Sequence, residues 1–208
     1  AMALWAGSEL CLILDEPEAA ARAEHAEFAA GNAIRPPTLS KQANALRVLA
    51  GTADAQQVND DILSVDPHHG LSTFYGYYIL EARAQAGDHD GCLDLIRTYW
   101  GGMLDMGATT FWEGFDIDWM DNAARLDEIT PEGKLDIHAD FGDYCYEGLR
   151  HSLCHGWAAG PTAWLTQHVL GLAPGTPGFG SLIVDPQLGD LDWARGSIPT
   201  PHGLVEVS

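Results

Sequence analysis

Lysine is nearly missing from this chain of 208 residues: only Lys41 and Lys134 stand among its ten basic residues, against thirty acids, for a net charge of −20. Such a surface repels nucleic acid phosphate and anionic lipid, so neither nucleic acid nor a membrane is expected as a partner. Long apolar runs are missing too. No stretch approaches the roughly 18 uncharged apolar residues that a membrane-crossing helix needs. The apolar patch at residues 10–14 is short and lacks the basic flank of an export signal, which leaves the compartment open between cytoplasm and secretion within a longer protein. Cysteine is sparse: Cys11, Cys92, Cys145 and Cys154 are widely scattered with no CxxC spacing, which excludes a zinc knuckle or a disulfide framework and predicts free, mostly buried thiols. Also lacking are a glycine-rich phosphate loop, a Gly-x-Ser-x-Gly elbow and an HExxH helix. Nucleotide-dependent, serine-hydrolase and thermolysin-type chemistry therefore have no footing, and no cofactor is expected.

What the chain does have is apolar mass (46%, with seven tryptophans), enough to pack a real core. Leu4, Trp5, Leu10 and Leu14 recur at helical spacing, and Pro17 opens a second helix. After the break at Pro36-Pro37, Ser40 is placed to cap a helix that ends at Gly51. Shorter helices are predicted over 55–63 and 72–86, and Asp88 caps another running through Leu93, Ile96 and Trp100. Short Gly/Asp turns between them indicate successive antiparallel hairpins. Between Glu113 and Glu147 the chain becomes a long acidic loop, of the kind that in compact domains tends to carry function. Helix is predicted again from about Tyr146 to Gly171. Beyond it, the segment from Pro174 to Gly178 reads as a linker. The β-branched run 181–184, the alternation from Trp193 to Ile198, and 204–207 after the turn at Pro201-His202-Gly203 read as two or three strands that need further strands for stability.

Two segments carry the chemistry. Gly107-Ala-Thr-Thr-Phe-Trp-Glu113 puts a carboxylate directly after an indole, and Arg150-His-Ser-Leu-Cys-His155-Gly-Trp-Ala-Ala-Gly160 brings a histidine to the head of the predicted helix. An aromatic platform with a carboxylate beside it is how a sugar site is commonly built. Glu113 lies among Phe111, Trp112 and Phe115, whose low polarity suits a proton-accepting carboxylate, although most glutamates simply face water. His155 can hydrogen-bond a sugar hydroxyl, although a histidine on an apolar helix is more often structural. His151, four residues earlier, falls on the same helical face. That spacing suits a metal, but no third ligand is evident, so none is expected. Asp116-Ile-Asp118-Trp-Met-Asp121 fails the EF-hand pattern, because Asp121 stands where glycine is needed; a solvated acidic loop and a substrate-facing role for Asp116 or Asp118 remain open, with Asp116 the candidate for substrate contact. The group Phe74, Tyr75, Tyr77, Tyr78 is either core packing or a sugar-facing cluster, with Tyr75 the candidate.

Ala108 to Glu113, the His155/Ala158/Gly160 pattern, and the tail residues Ile183-Val-Asp-Pro186 with Trp193-Ala194 resemble the C-terminal part of the catalytic domain of α-L-rhamnosidases of glycoside hydrolase family 78. The resemblance implies a mainly α fold: half of an (α/α)6 six-hairpin toroid over residues 1–173, followed by the beginning of a β-sandwich over 174–208. It also implies inverting hydrolysis of terminal α-L-rhamnosides in a rhamnose-containing glycoside or oligosaccharide. Glu113 is then the general base, with His155, Trp112, Trp157, Tyr75 and Asp116 facing the sugar. The family's general acid belongs to the half-toroid preceding this one, so the chain is expected to lack it, and to pair with that half or form a homodimer. A non-catalytic sugar-binding half-barrel, and an inverting (α/α)6 glycosidase for another sugar, stand as the alternatives.

Overall fold

The computed structural model describes residues 2–31, 39–137 and 151–208. Within them the chain is mainly helical, with two small antiparallel sheets. Helices α1 (Met2–Ile13) and α2 (Pro17–Gly31) form an antiparallel pair. Small residues let them approach: Ser8 and Ala20 are buried between them, and the Ser8 hydroxyl donates to Glu24 Oε1 across the pair at 3.3 Å.

Helix α3 (Lys41–Leu49) starts where its cap was expected, with Ser40 Oγ accepting from Ala43 N–H at 3.3 Å, and Gly51 leaves it at φ 66°. Asp54 caps α4 (Ala55–Val58), which widens into a π turn over Asn59–Leu63. Helix α5 (Gly76–Gln85) is the centre of the molecule. It packs on α3, α4, α6 and α9, and Ile79, Leu80, Ala82 and Arg83 are all buried. Its start lies four residues beyond the predicted one, because Ser72 makes a turn instead: Tyr75 N–H donates to Ser72 Oγ (3.2 Å) and Gly76 N–H to Ser72 O (2.8 Å).

Asp88 opens a continuous rod made of α6 (His89–Leu95), a π turn (Ile96–Trp100) and α7 (Gly101–Asp105). One carboxylate does three jobs at that junction. Its Oδ1 accepts from Gly91 N–H as the helix cap (3.0 Å), and its Oδ2 takes both Nε and Nη2 of the buried Arg83 (2.9 and 2.7 Å) together with Asn59 Nδ2 (3.1 Å). Leu95, Tyr99 and Met103 carry the rod into the core beside Leu63, Ile79 and Trp164.

The acidic loop carries α8 (Trp119–Asn122) and is described as far as Ile137. The predicted helix from Tyr146 is corrected: 146–150 lie outside the described residues, and from His151 to His155 the chain is not helical. A 3-10 turn (Gly156–Ala158) leads into α9 (Gly160–Trp164), extended by a π turn (Leu165–Val169). The reason is tertiary, since the backbone of 152–155 is committed to the 110–113 segment described below.

The predicted linker at 174–178 is also corrected. It is the turn of a hairpin in which β1 (Leu172–Pro174) pairs with β2 (Leu182–Val184), closed by Gly175 N–H to Ser181 O at 2.8 Å. Gly171 starts that hairpin at φ 68°, and a methyl there would sit 2.1 Å from the Asp185 carbonyl carbon, so the crossing from helix to strand admits only glycine. Strands β3 (Gly196–Thr200) and β4 (Gly203–Val207) make the second hairpin around Pro201-His202. Arg97 clasps Asp190 with two hydrogen bonds (2.9 and 2.8 Å), tying the loop before β3 to the rod.

Candidate functional site

Three segments distant in sequence meet at Glu113. The first is the 107–115 stretch that leaves the rod; the second is 151–158; the third is the Ser72 turn ahead of α5. The first two run side by side. His155 N–H donates to Phe111 O (2.8 Å), Glu113 N–H donates to Ser152 O (2.9 Å), and the Thr110 hydroxyl donates to Leu153 O. The pairing falls on residues 111 and 113, and Trp112 between them turns into the core.

That arrangement separates the two residues expected to work together. Glu113 is half-buried at the surface, while Trp112 is 0% exposed, packed edge-on against Phe115 and His151 in the core. Trp112 is therefore not a platform for a sugar, because no face of its indole reaches solvent. The exposed indole beside the carboxylate is Trp157, at 46% exposure. Its Nε1–H donates to the Glu113 carbonyl (3.3 Å), and its ring lies 4.2 Å from the His155 ring and 5.5 Å from that of Phe74. Phe74 and Tyr75 are exposed and meet edge to face at 5.0 Å, with Tyr78 at 5.7 Å from Phe74. Trp157, His155, Phe74 and Tyr75 thus form a continuous aromatic rim that meets Glu113 through the Trp157 indole. Such a rim offers apolar ring faces together with polar edges, the combination that suits the C–H face and hydroxyls of a sugar.

The Glu113 carboxylate is itself anchored: Oε2 accepts from Ser152 N–H at 3.1 Å. The same residue gives and receives on its backbone as well, since its carbonyl accepts from the buried Thr73 hydroxyl in addition to Trp157. Neither Thr73 nor Ser152 carries a sequence signal for this role.

His151 and His155 do not share a helical face. His151 is buried, and its Nε2 lies 2.9 Å from Gly114 O and 3.2 Å from Gly114 N. It donates to the first when protonated there and accepts from the second when not. His155, in extended backbone, turns to Trp157 instead. Among the described residues no three His, Cys, Asp or Glu side chains gather as a metal site.

Asp116 is exposed and its Oδ1 accepts from Asp118 N–H at 3.1 Å, leaving its other oxygen to solvent. Asp118 in turn meets His69 Nε2 at 3.1 Å, while His69 Nδ1 meets Asp66 at 2.7 Å. The hydrogen bond to Asp66, seconded by that to Asp118, holds the His69 imidazole above the usual histidine range. His69 also holds the Asp66 carboxyl below the usual carboxylate range. Lys41 Nζ reaches the carbonyls of Asp66 and His69 (2.9 Å to the latter), and its burial pulls the ammonium below the ordinary lysine value. This cluster staples the loop before Ser72 to the loop after Glu113.

On the flank of the same segment lies a cavity of about 750 Å³, lined largely by apolar side chains, Met103, Leu104, Phe111 and Leu165 among them, and reached by His155 and Thr110.

The comparisons with known proteins point one way. Residues 171–208 match the model of the bacterial alpha-L-rhamnosidase C-terminal domain. An alpha-L-rhamnosidase of Alteromonas sp. (strain LOR) is 33% identical over 147 residues, 67% of this chain and 14% of that protein. In fold the chain is similar to the GH78 family rhamnosidase of Bacillus sp. GL1, with a TM-score of 0.66 at 24% identity over 96% of this chain and 22% of that one. It is likewise similar to the α-L-rhamnosidase of Aspergillus terreus, with a TM-score of 0.69 at 19% identity over 96% of this chain and 23% of that one. The chain thus spans less than a quarter of the length of each of these relatives.

Proposed function

Given that this chain belongs with the α-L-rhamnosidases of glycoside hydrolase family 78, we propose that it supplies the general-base side of a site hydrolysing terminal α-L-rhamnosides. The substrate is a rhamnose-containing glycoside or oligosaccharide. Glu113 takes a proton from a water, whose oxygen attacks the anomeric carbon as the bond to the leaving oxygen breaks. A carboxylic acid on the opposite side of the sugar, roughly 6.5–9.5 Å from the base in inverting enzymes, protonates the leaving oxygen. The family resemblance assigns that acid to no residue of this chain. Trp157, Tyr75 and His155 face the sugar, and Asp116 offers its free carboxylate oxygen to a hydroxyl.

The observation that carries the proposal is the Glu113 carboxylate held by Ser152 N–H on a residue whose carbonyl takes the indole N–H of the exposed Trp157. A base must be held on a rigid backbone at a solvent-reached position to meet a water and a sugar together. The described helices of residues 1–173 are read as half of a six-hairpin (α/α)6 toroid. Strands β1–β4 are read as the start of a β-sandwich, with β1 at Leu172 supporting a boundary close to residue 173. Exposed apolar side chains on α1 and α2 (Leu10, Leu12, Ile13 and Phe28) support pairing with a second copy or with further helical hairpins.

The test uses a leaving group that needs no protonation. Dinitrophenyl α-L-rhamnoside should be hydrolysed by this chain, and Glu113→Gln should lower the rate by about 10²–10⁴, the usual worth of a positioned base. Equal rates for the two proteins would remove Glu113 from the role.

A further inference from the structure

We infer that Thr73 is a positioning residue for Glu113, acting through the backbone carbonyl of the base. The inference rests on the reading of Glu113 as that base, but its geometry stands independently. Thr73 is 1% exposed, and a buried hydroxyl needs a partner. It has one acceptor of consequence: its Oγ1 donates to Glu113 O, forty residues away in sequence. The same carbonyl receives the Trp157 indole N–H. On the other side of the residue, Ser152 takes the Glu113 N–H on its carbonyl and gives its own N–H to Oε2.

The two anchors differ in kind. Trp157 is half in solvent, on a 3-10 turn, with its bond at 3.3 Å; Thr73 is enclosed at the foot of the central helix α5. A hydroxyl fixed in the core sets where the Glu113 carbonyl sits, and with the peptide plane fixed, the side chain leaves it in a direction that meets Ser152 N–H. The exposed indole follows that carbonyl. Thr73 thus holds the base, and through the shared oxygen it also holds the rim tryptophan.

The experiment compares Thr73→Val, which keeps shape and loses the hydroxyl, with Thr73→Ser, which keeps the hydroxyl, and with Trp157→Phe, which removes the indole N–H and keeps a ring. The first readout is hydrogen exchange of the Ser152 amide by NMR, which needs no activity. Thr73→Val should speed it by about tenfold, the worth of one hydrogen bond, and Thr73→Ser should restore it. The second is hydrolysis of dinitrophenyl α-L-rhamnoside, where Thr73→Val should lower kcat by about tenfold with KM within about twofold, as expected when the base is misaligned and sugar contacts are kept. Unchanged Ser152 exchange in Thr73→Val, or its failure to recover in Thr73→Ser, overturns the inference. Should Thr73→Val not fold, Trp157→Phe decides: Ser152 exchange stays at the parent rate if Thr73 is the anchor, and a rise there assigns the anchoring to Trp157 instead. Equal hydrolysis by the unaltered chain and Glu113→Gln would count against Glu113 as base while leaving the exchange result to judge Thr73.

Discussion

Ser152 grips Glu113 with both halves of its peptide: its carbonyl accepts the Glu113 N–H at 2.9 Å, and its own N–H donates to Glu113 Oε2 at 3.1 Å. The Ser152 hydroxyl is engaged elsewhere, donating to Cys154 O at 3.2 Å. Backbone and side chain at position 152 therefore make separable contributions.

Ser152→Ala should change hydrolysis of the aryl rhamnoside by less than about twofold, whereas Ser152→Pro, which deletes the amide donor, should lower kcat by about tenfold or more. Steady-state kinetics on the two variants, with circular dichroism to confirm their folding, checks this.

Asp88 is the structural counterpart of that arrangement, joining Arg83, Asn59 and the cap of α6. Asp88→Ala removes the cap and strands a guanidinium that is only 4% exposed. Loss of one partner of a buried pair costs about 3–5 kcal/mol. Urea denaturation should show a loss of that size, and Asp88→Asn, which keeps an oxygen for Gly91 N–H, should lose less.

The thiols should divide by exposure. Burial pushes the Cys92 thiol up to about 12, and its Sγ–H turns to Leu80 O at 3.4 Å. Cys154 is exposed. A chromogenic disulfide reagent at neutral pH should label Cys154 in the folded chain and reach Cys92 only after denaturation, since the thiolate is the reactive form. Peptide mapping after brief labelling reads the result.

The staple at His69 should depend on pH in two opposite senses. The His69 value is raised by Asp66 first and Asp118 second, so its stabilisation is complete below the ordinary histidine range and fades as pH rises through the folded value. The Asp66 value is lowered by His69, so its share is present above the ordinary carboxylate range and fades as pH falls through the folded value. The link between the loops should therefore be tightest in mildly acidic solution. Amide exchange around residues 66–70 and 116–119, followed against pH, should show a protection maximum there, and His69→Ala should flatten it.

The parts of this architecture that were legible in the sequence are those decided locally. Ser40 and Asp88 announce their helices because a cap is a bond within three residues, and Pro201-His202-Gly203 announces its hairpin for the same reason. The stretch 151–159 looked helical because its composition is, but Phe111 and Glu113 claim its backbone from about forty residues away. Motif marks Glu113 and His155, while Trp112 beside them lies in the core. The hydrogen bonds of Phe111 and Glu113 to the 152–155 backbone leave Glu113 at the surface and Trp112 inside. Thr73 could not be found at all, because its meaning is a single long-range hydrogen bond.

One further close approach joins the central helix to the rim. A methyl on Gly76 would stand 2.5 Å from the edge of the Trp100 ring, and the indole N–H of Trp100 donates to Ala158 O, next to Trp157. Whatever enlarges residue 76 displaces the ring, and the displaced ring pulls on the turn that carries the rim. Enlarging residue 76 therefore calls for a smaller side chain at position 100. Gly76→Ala should act as a lesion at a distance, and a smaller ring at position 100 should act as its suppressor.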